Sequence, residues 1–207
     1  VKEDLFISKP VKPNDADEAK AEEIIARGGQ RLLGMLLWAA RGCFPECLLG
    51  TSMLGRIMAR PTEEFWTNAV HMMNYMYQNR HRGIKFSSTG NNVPVALVDA
   101  SNKPDPYDSK CQYGWVIMFK GGPLMACSKK LCHVGLSAAH NEYMAMHWCN
   151  RAVVWLRELI KEIGVFGILD SPTLVRGDNK AANTLCYEEL ITTGNQFMIT
   201  PYHYNKE

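Results

Sequence analysis

Long hydrophobic runs are what this chain of 207 residues most lacks. Its longest apolar stretch, residues 32–40 with Gly34 inside it, falls well short of the roughly 20 residues a membrane-spanning helix requires. The N-terminal residues also lack the layout of a secretory signal, so the expected location is intracellular, in a cytoplasmic particle or the nucleus, with no membrane partner. Excess charge is equally scarce. A formal net charge of +2 does not by itself draw the chain to nucleic acid, and any electrostatic footprint has to be local. Internal repeats, low-complexity tracts, a phosphate-cradling glycine loop and a nucleophile elbow are absent. Ser137 has no histidine and acid at the spacing of a triad, which makes acyl transfer remote.

Cysteine is present, but in odd number. Seven argue against a closed disulfide framework and for a reduced compartment. The pairs Cys43 with Cys47, and Cys127 with Cys132-His133, approach the spacing of zinc ligands, yet neither has a second knuckle and both fall in apolar or strand-forming stretches. His140 and His147 share a helix face without a third ligand, and read as surface or partly packed residues.

What the chain does hold is ample core material, 46% hydrophobic and 10% aromatic residues, enough for one domain plus an appendage. Apolar periodicity predicts helices over 30–40, 46–58 and 63–79, the last with a capped start at Thr62-Glu63-Glu64 after Pro61. Trp38, Phe65, Trp66, Met72, Met73, Tyr75, Met76 and Tyr77 lie in this region and are expected in its core. Further on, strands are predicted over 93–98, 113–119 and 124–136, with a hairpin turn at Gly121-Gly122-Pro123. A long helix over 139–163, a strand over 173–176 and a helix over 179–190 complete the reading.

Three carboxylates stand at the ends of these elements. Asp99 closes the apolar run 93–98, Glu142 lies in the first turns of the long helix, and Asp178 follows the strand over 173–176. Each has a local alternative. Glu142 falls on the helical stripe of Ala145, Met146, Cys149, Val153, Leu156, Leu159, Ile160 and Ile163, where an acid must be paired, protonated or metal-bound; a first-turn position open to water and favoured by the helix dipole is the other reading. Asp178 has the place of an N-cap, and Asp99 that of an Asx turn. If the two strands run parallel, both acids reach the carboxyl ends of one sheet, where ligand sites of open α/β sheets lie. Gathered together, such hard oxygen ligands suit a divalent cation and metal-assisted hydrolysis of a phosphodiester. Two basic clusters are candidates for phosphate contact: Arg80, Arg82 and Lys85, and the pair Lys129 and Lys130.

From about Gln30 onward the chain resembles the tail of the Pol polyprotein of copia-like LTR retrotransposons, where reverse transcriptase hands over to ribonuclease H. The motifs run in order: Gln30-Arg31-Leu32-Leu33-Gly34-Met35-Leu36-Leu37-Trp38, Pro45-Glu46, Val98-Asp99-Ala100-Ser101, Gly114-Trp115-Val116, Gly121-Gly122-Pro123, Ser128-Lys129-Lys130, Leu136-Ser137, Glu142-Tyr143-Met144-Ala145, Trp155-Leu156, Asp178-Asn179-Lys180-Ala181-Ala182 and Tyr202-His203. The resemblance implies a ribonuclease H-like α/β fold, a mixed five-stranded sheet with helices on both faces, preceded by a small helical region. Residues 1–28, with Lys9-Pro10-Val11-Lys12-Pro13 and mixed charges, read as a linker with a short helix, and the resemblance implies 29–88 as the helical end of the reverse transcriptase and 91–207 as the ribonuclease H-like domain, truncated at its C-terminus. A start on Val1 rather than Met fits an internal piece of a polyprotein.

By the same resemblance Asp99, Glu142 and Asp178 are catalytic metal ligands for a pair of Mg²⁺ or Mn²⁺ ions, the substrate is an RNA–DNA hybrid, and the upstream reverse transcriptase is the partner. The pattern departs at three places. Ile199 stands where the family has a fourth acid, Ser101 replaces the second acid after Asp99, and His140 replaces an acid before Glu142. The alternative to an active nuclease is therefore a degenerate remnant that keeps the fold and some nucleic-acid affinity. His203, Asn205 and Glu207 are the side chains available to stand in for the fourth ligand.

Overall fold

A computed structural model describes residues 15–186 except 90, 91, 104, 106, 107, 166, 168 and 169. They form two compact units, the first holding the chain up to Ile84 with a short piece of a later loop, the second holding the remainder from Lys85. Among the described residues no helix is long and apolar enough to cross a membrane.

The first unit is helical, with α1 (Asp15–Ala26), α2 (Gly29–Gly42), α3 (Leu48–Ile57) and α4 (Glu63–Gln78), and a turn of 3₁₀ helix at Pro45–Cys47. Thr62 caps α4 as its sequence suggests: the Oγ1 accepts the Phe65 N–H at 3.3 Å, and Glu63 and Glu64 occupy the first turn. Ile24, Leu33, Leu36, Leu54, Phe65, Ala69, Met72 and Met76 are buried at the centre.

The aromatic and Met-rich stripe expected in that core divides between inside and outside. Phe65, Met72 and Met76 are buried, whereas Trp38 is 81% exposed and Met73 and Tyr77 face solvent. Helix geometry gives the reason. Leu33, Leu36 and Ala40 of α2 fall on one side at 3.6 residues per turn, which puts Trp38 on the other; Phe65, Ala69, Met72 and Met76 leave Met73 and Tyr77 outside in the same way.

The second unit is mixed α/β. Strands β1 (Val95–Ala100), β2 (Gln112–Phe119), β3 (Gly122–Lys130) and β4 (Leu174–Arg176) make one sheet in the order β3-β2-β1-β4, with α5 (Ala138–Ile163) and α6 (Lys180–Leu185) around it. The β1–β2 and β2–β3 pairs are antiparallel, and β4 joins β1 in parallel. Lys120 and Gly121, with φ 51 and 83, form the two-residue turn between β2 and β3, so Gly122 and Pro123 belong to the strand rather than to the turn. A bulge follows: Ile117 pairs with Met125 and Met118 with Pro123, leaving Leu124 unpaired.

Two expectations are corrected here. The described sheet has four strands, not five, and β3 ends at Lys130 instead of running to residue 136. Residues 187–207, including Ile199 and the remaining candidate ligands, lie outside the described part. Among the described residues, α5 and α6 contribute to one buried cluster with Ala96, Val98, Ala100, Ile117, Tyr143 and Cys149, while Leu97 and Leu174 stand exposed.

Candidate metal centre

The sheet carries two of the acids to the same level. The last parallel pair is Leu97 with Arg176, and two residues further along each chain stand Asp99 and Asp178. Asp99 lies inside β1, opposite Gly114 of β2, on the outward side of an alternation that buries Ala96, Val98 and Ala100. The Asx-type turn chemistry that its sequence context suggests is carried instead by Ser101, whose Oγ accepts the Lys103 N–H at 3.1 Å. Asp178 is likewise free of the capping role. Asn179 caps α6, its Oδ1 accepting the Ala182 N–H at 3.0 Å.

Glu142 enters from α5. Ser137 caps that helix through the His140 N–H at 3.1 Å, which sets Glu142 in its second turn and aims it at the sheet rim. A water-exposed first-turn position is thereby ruled out, since Glu142 is only 6% exposed. Residues 140 to 147 are buried on every side of the helix, more than the one-face stripe predicts; at the other end Ile163 is exposed.

Oxygens of Asp99, Glu142 and Asp178 all lie within 4.8 Å of one another. Among the described residues no Lys or Arg side chain pairs with any of the three. Burial raises the Glu142 carboxyl from its ordinary 4.5 to about 7; a hydrogen bond from the Ala100 backbone N–H opposes the rise, and the nearby charges of Asp99 and Asp178, with a side-chain hydrogen bond to Asp99 that the protonated form makes, add to it. The Glu142 Oε2 is buried without a hydrogen-bond partner. An orphaned carboxylate oxygen, facing two further carboxylates with no organic cation beside them, fits a hard divalent cation. An all-oxygen set of this kind favours Mg²⁺ or Mn²⁺ over zinc.

The remaining candidates are placed as follows. Arg80 is exposed, lies 4.2 Å over the Tyr77 ring and donates to the Tyr77 carbonyl at 2.8 Å. Arg82 is exposed and sits 4.0 Å from Glu46, with its Nη1 donating to the Tyr75 hydroxyl at 3.4 Å. Lys85 and Lys129 are exposed. Lys130 is engaged in an ion pair of 2.7 Å with Asp105, itself only 8% exposed, so its charge is spent on holding the β1–β2 loop to β3. His140 and His147 are buried, more fully than the surface or partly packed placement expected of them, and burial lowers both imidazoles below their ordinary range. The His140 Nδ1 accepts the Leu136 N–H at 3.1 Å and its ring stacks on His133 at 5.0 Å. The Ala100 N–H beneath Glu142 was invisible in the sequence, because a backbone donor carries no residue signature.

Fold and site describe a mixed α/β sheet unit in which three carboxylates gather at one rim. Over 177 residues, the chain is 22% identical to the "Retrovirus-related Pol polyprotein from transposon TNT 1-94" of Nicotiana tabacum, a match covering 84% of this chain and 13% of that polyprotein. This likeness supports a retrotransposon Pol origin. A second relative, the "Secreted RxLR effector protein 161" of Plasmopara viticola, is 25% identical over 112 residues, 54% of this chain and 79% of that protein. No family model matches the chain, and no solved structure matches it at a significant level.

Proposed function

We propose that this chain is the ribonuclease H portion of a retrotransposon Pol polyprotein, with a helical end of the reverse transcriptase before it, and that it hydrolyses the RNA strand of RNA–DNA hybrids. The observation that carries the reading is the meeting of Asp99, Glu142 and Asp178 around an unpartnered carboxylate oxygen, in a chain similar to a Pol polyprotein. When bound, Mg²⁺ or Mn²⁺ supplies an activated water and charge neutralisation at the phosphate. The chain's own part is to bring the three acids together at one sheet rim. Glu142 contributes from a desolvated position where cation contact replaces lost water, and the Ala100 N–H holds its carboxylate. Exposed Arg80, Arg82, Lys85 and Lys129 are the side chains proposed to meet the hybrid's phosphates.

A second reading rests on Ile199, which stands where the resemblance places a fourth acid and cannot ligate a metal. On that reading the chain binds hybrid without cutting it. The test incubates the full chain with labelled hybrid and Mg²⁺ or Mn²⁺ beside an Asp99→Asn variant. Cleavage by the wild type that disappears in the variant supports the nuclease; equal cleavage in both, or none in either, overturns it.

A further inference from the structure

Three like-charged carboxylates repel, so each needs a reason to stay. Glu142 is held by its helix and Asp99 by its strand, but Asp178 sits exposed in the short connection between β4 and α6. One side chain of α6 reaches back to that connection. The Asn183 Nδ2 donates to the Gly177 carbonyl at 3.0 Å, and the Asn183 N–H donates to the Asn179 carbonyl at 3.0 Å. Gly177 is itself pressed into place: a Cβ there would fall 2.5 Å from the Met146 Cε and 3.6 Å from the Val98 Cγ1. Met146 belongs to the same helix as Glu142, and Val98 precedes Asp99 in β1. The backbone before Asp178 is thus packed directly against the elements that carry the other two acids, and the Asn183 amide keeps it there.

Resting on the metal-centre reading above, we propose that Asn183 is a positioning residue for Asp178, acting through the Gly177 carbonyl and never touching the cation itself. An amide is suited to the task because it donates at that reach without adding charge to the cluster. A leucine has nearly the same shape and no donor.

The test titrates the full chain with Mn²⁺ alone and reads free ion by electron paramagnetic resonance, with melting in EDTA as a measure of folding. Four proteins are compared: wild type, Asp178→Asn, Asn183→Leu and Leu185→Ala. Leu185 packs against the core from α6, so its truncation loosens the helix without removing the tether. The expected result is Mn²⁺ binding by the wild type, weakened in Asp178→Asn, weakened about tenfold in Asn183→Leu and unchanged in Leu185→Ala. Affinity in Asn183→Leu equal to wild type overturns the proposal, as does equal weakening in Leu185→Ala, which would mean that α6 acts only by being folded. Failure of the wild type to bind, or binding untouched in Asp178→Asn, overturns the metal-centre reading itself, and the tether falls with it.

Discussion

Glu142 concentrates the chemistry of the second unit in one side chain. Its carboxyl is raised from 4.5 to about 7, chiefly by burial, so between these pH values the folded protein keeps a proton that the unfolded chain has lost. Stability without divalent ions is therefore full below the unfolded value, falls as pH rises through the window, and levels off above about 7. Replacing Glu142 by Gln removes the titration. In EDTA the Glu142→Gln protein is expected to gain on the order of 1–3 kcal/mol over wild type at pH 8 and little at pH 4, measured by urea unfolding. Adding Mn²⁺ at pH 8 should raise the wild-type melting temperature while leaving the variant nearly still. A wild type whose stability does not fall between pH 5 and 8 contradicts the buried, unpartnered placement of the Oε2.

Elements show which local signals carried and which were overridden. Thr62 caps α4 as its position suggested, and Ser137 caps α5 without having been singled out for it, their hydroxyls accepting the Phe65 and His140 N–H groups. Thr62→Ala should cost about 1 kcal/mol in the helical unit, read by hydrogen exchange of the first amides of α4. The helix and strand bounds read from periodicity lie close to those of α2, α4, β2 and α5 because each has a strong apolar rhythm. Asp99 and Asp178 were harder, since a short-range reading cannot tell a strand-borne ligand from a turn or cap. Their neighbours Ser101 and Asn179 took the local roles and left the two acids available. At the centre of the sheet Ile117 is completely buried, and Ile117→Ala should destabilise the second unit by about 2–5 kcal/mol, with protection of β1 amides lost first.

At the scale of the molecule, a net charge of +2 predicts weak bulk attraction and a binding footprint of few cations. If the chain binds hybrid as proposed, affinity falls with salt, and each exposed cation that meets a phosphate, Lys129 among the candidates, adds to the log–log slope. Lys129→Ala is expected to reduce that slope by about 1, whereas Lys130→Ala, which breaks an existing ion pair with Asp105, should act on stability first. Fluorescence anisotropy over a KCl series separates the two. Equal changes in slope for both variants would show that the Lys130 pair opens on binding.

Much of the chain could be read in one dimension: the helical first part, the strand–strand–strand–helix–strand–helix order of the second, and the identity of the three acids. Those features depend on period, on caps and on residue type, all of which are local. Tertiary structure alone decided that Trp38 faces outward, that Glu142 lacks water, and that the parallel register of β1 and β4 sets Asp99 level with Asp178. The physical reason is that desolvation and like-charge proximity belong to groups brought together from distant parts of the chain, and no single segment contains them.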